Sequence, residues 1–215
     1  MSVCDIFKKE LQVKFPDYTI SKLGCTNHAN VSLLSKDGVP NLVAKTIWHD
    51  ASDPTGNMGI VRQDKAYNME VKILKMLPSW WGLHLFLNFK TKINRIIVTN
   101  EIINLSWKTY KKGRHDLFVA NQLLKQIRWL HSKKIAHSDL ELKNIMLSSA
   151  GDPIIIDFEK SIFPASKAQM GDDYRKILDS LVENSNTKSI GAIIQRSLQR
   201  GTRKTQKRRK RGDKS

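Results

Sequence analysis

Apolar positions recur with two different periods along this chain, and the change of period divides it. Residues 1–16 read as a short amphipathic helix. Val13, Phe15 and Tyr18 lead into an extended segment at 18–23, and strands are predicted at 31–34 and 42–47. The turn signal Lys36-Asp37-Gly38 joins those two strands, and a second turn-rich stretch covers 49–59. A helix over 61–77 follows, with Ala66, Met69, Ile73, Leu74 and Leu77 at helical spacing and Pro78 as its stop. Further strands are predicted at 85–89 and 95–100. The helix at 115–134 carries Leu117, Phe118, Ala120, Leu124, Ile127 and Leu130 on one side. Two short strands, 145–147 and 154–156, flank the turn Ser-Ser-Ala-Gly-Asp. Helix returns at 172–183 and 187–199, with no internal repeat. Strands dominate the first hundred residues and helices the rest, which predicts an α+β protein of two subdomains with a cleft between them. The expected division is 1–100, 101–199 and a basic tail at 200–215.

Composition narrows the class. Apolar residues make up 40% of 215, enough for a core. Two cysteines, Cys4 and Cys25, are too few for a disulfide framework and lack metal-ligand spacing. No apolar run approaches the roughly 18 residues of a membrane span, and the N-terminal stretch lacks the apolar region of a signal peptide. These features predict a soluble, cytoplasmic protein. The formal charge is +17, and from Arg196 onward ten Lys/Arg stand against one Asp, a net +9. That field favours anionic partners: nucleic acid, phosphorylated sugars, anionic membrane surfaces or nucleotides. The run Lys207–Arg211 reads as a phosphate-binding segment, as a nuclear import signal if the host is eukaryotic, or as a solubilising tail; it is expected to be disordered when unbound.

The chemistry-bearing residues concentrate in Ile135-Ala-His-Ser-Asp-Leu-Glu-Leu-Lys-Asn-Ile-Met-Leu147 and Ile154-Ile-Ile-Asp-Phe-Glu159. His137, Asp139 and Asn144 match H-R-D-L-x-x-x-N, and Asp157 with Phe158 matches the start of D-F-G, so the chain resembles the protein-kinase-like superfamily. Asp157 follows Asn144 by thirteen positions, which leaves room for a short hairpin. The resemblance implies a two-lobed fold with a truncated helical C-lobe. It also implies ATP and Mg²⁺ as cofactors, with the metal held by Asp157 and the Asn144 amide oxygen. Asp139 would accept or orient the proton of an attacking hydroxyl. Upstream, Leu42-Val-Ala-Lys45 resembles V-A-I-K, with Lys45 on the α- and β-phosphates and Glu70 of the 61–77 helix as its ion partner. Taken alone, Lys45 reads as a surface lysine on an edge strand and Glu70 as a solvated helix residue. Residues 23–31 stand in register with L-G-x-G-x-x-G-x-V, but only Gly24 survives of the three glycines. The same resemblance assigns Val31 and Ala44 to the roof of an adenine pocket, Met146 to its floor, and Glu101 to Ile103 to the adenine edge.

Several positions depart from ordinary protein kinases. Ser138 stands for the arginine of H-R-D, Glu141 for the catalytic-loop lysine, and Glu159 for the glycine of D-F-G. Lys143 is a candidate γ-phosphate contact from a different position. The compact C-lobe is similar to the lipopolysaccharide core Kdo/heptose kinases and YrbL-type proteins, and to the small kinase of the KEOPS tRNA-modification complex. The resemblance spans roughly residues 20–182. Its implied activity is transfer of the ATP γ-phosphate to a hydroxyl of a protein or of an anionic sugar or lipid. Two other readings stand beside it: a pseudokinase or ATP-binding regulator, and a basic RNA-associated module. Asp172 and Asp173 are expected to cap the helix at 172, with buttressing of the catalytic loop as the alternative.

Overall fold

The computed structural model describes residues 3–25, 29–47, 57–91, 94–101, 107, 110, 113, 115–212. The chain is α+β and divides into two compact units, residues 1–102 with 157–160, and 103–156 with 161–215.

The first unit is built on a five-stranded antiparallel sheet in the order β1-β2-β3-β5-β4. Its strands are β1 (Thr19–Cys25), β2 (Ala29–Lys36), β3 (Val39–Ile47), β4 (Leu85–Lys90) and β5 (Arg95–Asn100). The β2–β3 turn needs a left-handed residue, and Gly38 supplies it at φ 73°. Helix α1 (Val3–Lys14) and the residue after it lay Phe7, Leu11 and Phe15, spaced four apart, onto Ile20, Leu34, Leu42, Ala44, Ile96 and Val98. These strand residues share one face because side chains alternate along each strand. Helix α2 (Asn57–Met76) buries Gln63, Tyr67, Glu70, Val71, Ile73 and Leu74. Ala66 and Met69, expected in the buried stripe, are only half-buried. The stripe is rotated by about one residue, and that rotation carries Glu70 inside. Phe158 of the 157–160 segment is fully buried, its ring 6.2 Å from that of Trp81.

The second unit is helical. Helix α3 (Asp116–Ser132) buries Val119, Ala120, Leu123, Leu124, Ile127 and Leu130. Leu117 and Phe118, expected on that side, are exposed: at about 100° per residue they fall off the face formed by Asp116, Val119, Ala120 and Leu123. The hairpin of β6 (Ile145–Leu147) and β7 (Pro153–Ile155) is pinned to α3 by Gln126. Its amide donates to the Pro153 carbonyl at 2.6 Å and accepts from the Ile155 N–H at 3.0 Å, both buried. Helix α4 (Lys167–Glu183) starts five residues before its expected start, at a capping box in which Ser166 and Gln169 satisfy each other's backbone N–H. Helix α5 (Lys188–Gly212) buries Ile190 and Ile194 in its first turns. It continues as helix through Lys207–Arg211, where disorder was expected. Lys, Arg and Gln are good helix formers, and they extend a helix already nucleated by packing.

Candidate active site

In the first unit one cation meets three carboxylates. β3 is the central strand, so Lys45 is not an edge lysine; it pairs with Val31 on one side and Ile97 on the other. Its Nζ lies 3.3 Å from Glu70, 2.6 Å from Asp157 and 3.4 Å from Glu159. Glu70 is 5% exposed, so this pair is largely removed from water. The three acids place an oxygen each within 4.8 Å of one another. Burial opposes the Lys45 ammonium, but the charges of Glu70, Asp157 and Glu159 outweigh it and hold the lysine above its ordinary range. Burial pushes the Glu70 carboxyl up to about 7; Lys45 pulls it down, while Asp157 and Glu159 add to the rise. Three carboxylates to one ammonium leave a deficit of positive charge, which a proton on Glu70 partly fills. Glu159 was noted in the sequence only as a departure from glycine. Nothing in its spacing signalled that it reaches Lys45.

Strand alternation corrects one expected roof residue. Ala44 faces away from Lys45 and is fully buried under α1. Val43, two residues before Lys45, shares the lysine's face. Val31 lies directly opposite Lys45 and therefore on that face too. Gly24 sits in β1 opposite Val31, with nothing within 4 Å of a Cβ added there. Glu101 is tied back to the sheet: its N–H donates to the Asn41 carbonyl at 3.0 Å and its carboxylate accepts from the Asn41 amide at 2.9 Å. Ile103 lies outside the described residues.

In the second unit the loop from His137 to Asn144 is held on all sides. His137 is fully buried. Its Nε2 lies 2.9 Å from the Ile156 carbonyl and its Nδ1 accepts the Asp139 N–H at 3.3 Å, which defines a neutral ring protonated on Nε2. The Asn144 amide nitrogen donates to the Asp139 carbonyl at 2.7 Å and to its carboxylate at 3.2 Å. Lys143 is exposed and pairs with Glu141 at 2.9 Å and with Asp139 at 3.7 Å, which raises its pKa, chiefly through the Glu141 hydrogen bond. Met146 is half-buried on β6, between the buried Ile145 and Leu147.

Helix α4 is the support of this loop. Asp173 is fully buried and accepts the His137 and Ser138 N–H groups at 2.9 Å each, with His131 Nε2 at 3.0 Å. Lys176 donates to the Ser138 carbonyl, and the Ser180 hydroxyl accepts the Leu142 N–H at 2.8 Å. Residues 173, 176 and 180 share one helix face. The capping role expected of Asp172 and Asp173 is therefore corrected, since both lie in the second turn. Ser138 and Asp157 adopt left-handed φ of 65° and 67°. Such backbone costs of order 1–3 kcal/mol per residue and persists where the surroundings impose it.

Sequence comparison points the same way over part of the chain. CBL-interacting serine/threonine-protein kinase 1 of Arabidopsis thaliana is 36% identical over 104 residues, 44% of this chain and 23% of that protein. The probable serine/threonine-protein kinase fhkA of Dictyostelium discoideum is 31% identical over 93 residues, 40% of this chain and 16% of that protein. Human protein kinase C delta type is 34% identical over 95 residues, 40% of this chain and 14% of that protein. No known family model matches the chain. The chain spans less than a quarter of the length of these relatives. It carries a region similar to serine/threonine protein kinases. Among the described residues no helix is long and apolar enough to cross a membrane.

Proposed function

We propose that this chain is an ATP- and Mg²⁺-dependent phosphotransferase of a small, two-lobed kinase-like type, acting on a hydroxyl group. The observation that carries the reading is the buried Lys45–Glu70 pair with Asp157 at 2.6 Å from the same ammonium. A lysine so held is a preorganised cation for the oxygens of a triphosphate. The charge deficit of Glu70, Asp157 and Glu159 fits a divalent cation, with Asp157 as its carboxylate ligand. In the second unit the nitrogen of Asn144 is committed to Asp139, so its oxygen is the atom it offers a metal. Magnesium would neutralise phosphate charge as it transfers. Asp139, held by the loop, is the group assigned to accept or orient the acceptor's proton. Val31 and Met146 are assigned to the adenine, with Val43 in place of Ala44. The acceptor is assigned to a hydroxyl of a protein or of an anionic sugar or lipid, in keeping with the basic composition.

The test is transfer of labelled γ-phosphate from Mg²⁺–ATP to protein acceptors and phosphorylated sugars. Wild type should label an acceptor or itself, and Asp157→Ala and Asp139→Ala should each lower the rate at least a hundredfold. ATP binding without transfer by the wild type would sink the enzyme reading and leave an ATP-binding regulator.

A further inference from the structure

A second cavity lies in the first unit, on the face of the sheet away from Lys45. It has a volume of about 410 Å³ and is walled by Asp5, Phe7 and Lys8 of α1 with Ile20, Lys22, Gly24, Asn30 and Ser32 of β1 and β2. Volumes of ~300–1,000 Å³ are those of small-molecule sites. Elsewhere Leu11 of α1 and Phe15 just after it cover this face with apolar surface, beside Leu34, Leu42 and Val98. Under its first turns the pattern breaks. Asn30 and Ser32 are 2% and 6% exposed, polar residues where β2 would otherwise continue the core. Thr46 lies directly opposite Asn30 on the same face, fully buried, and its Oγ1 has no partner among the described residues. Interiors are close-packed and their polar groups are satisfied. A polar-floored cavity beside an unsatisfied hydroxyl is therefore built for something polar. Two ammonium groups against one carboxylate give its wall a net positive charge.

We propose that this cavity binds a small molecule bearing an oxyanion, a phosphate monoester or a carboxylate, with Lys8 and Lys22 on the charge, Asn30 and Ser32 as donors beneath it, and Phe7 and Ile20 against its apolar part. The inference is independent of phosphoryl transfer, because none of these side chains belongs to the Lys45 group. It gives the polar positions of β2 and the charged residues of α1 a common role.

The experiment is calorimetric titration and thermal melting of the full chain at constant ionic strength. The probes are inorganic phosphate, glycerol 2-phosphate and succinate, with chloride as the reference. Wild type should show saturable binding and a rise in Tm with at least one probe. The double variant Lys8→Gln, Lys22→Gln should bind at least tenfold more weakly, and Ser32→Leu should abolish binding by filling the cavity. Lys75→Gln and Lys45→Met should keep the response, the latter separating this site from any phosphate held at Lys45. If Ser32→Leu fails to fold, the two surface lysines carry the test alone. Absence of saturable binding, or equal binding by the double variant, overturns the proposal. A response confined to the phosphates or to succinate supports it and names the oxyanion.

Discussion

At Thr46 a hydroxyl is fully buried on the α1 side of β3 and meets no partner among the described residues. Leaving a hydroxyl unpaired in an apolar site costs about 1–3 kcal/mol. Thr46→Val keeps the shape and removes the polar atom, so it should raise the stability of the free protein by about 1 kcal/mol in urea unfolding. A loss of similar size would mean the hydroxyl is satisfied. Glu70 makes a second residue-scale prediction. Its carboxyl is raised from 4.5 to about 7 in the fold, so the folded chain holds a proton there that the unfolded chain has released. The stability from that proton is complete below about 4.5 and is lost as pH rises through 7. Glu70→Gln removes the titration. Melts from acid to alkaline pH should find the variant near wild type in acid, gaining on it between about 4.5 and 7 and level with that gain above; a pH-independent difference would refute the assigned burial effect.

Elements show where the sequence was legible and where it was not. Strand positions and the turn at Gly38 were readable because period-two alternation and a left-handed turn leave local marks. The face assignment of Ala44 was misread because the V-A-I-K comparison was one position out of phase with the pleat: neighbours in a strand face opposite sides, and the pairing with Ser32 and Val98 agrees. The start of α4 was missed although Ser166 and Gln169 carry a local capping signature. The buttress at Asp173 was legible only as the alternative to capping, offered by the kinase resemblance: its partners are 36 and 35 residues away, and no local period encodes them. The same holds for Glu159 on Lys45. Replacing Asp173 by Asn turns a donating NH2 toward a backbone N–H that needs an acceptor. The expected cost is about 3 kcal/mol in urea unfolding, with loss of phosphate transfer. Asp172→Asn, whose side chain is exposed and paired with Arg175, should be near neutral in both measurements. Equal effects of the two would remove α4 as the support of the loop.

For the whole molecule the distribution of charge matters more than its sum. Residues 200–215 hold nine Lys/Arg and one Asp, so their removal takes the net charge from +17 to +9. The buried anchors of α5, Ile190 and Ile194, precede this segment. Stability and the polyanion response should therefore separate. A chain ending at Gln199 should melt within a degree or two of the full chain, since little packing is lost. It should elute from heparin or RNA at clearly lower salt, because each phosphate neutralised contributes to the salt slope, roughly −0.7 per contact on single strands. Retention at unchanged salt would assign the polyanion field to the remaining +9 of the body, where the wall of Lys8 and Lys22 and the Lys45 group lie. A large fall in melting temperature would instead make the basic helix part of the fold, its like charges tolerated because the first turns of α5 hold it. The two outcomes distinguish a partner-binding appendage from a structural helix.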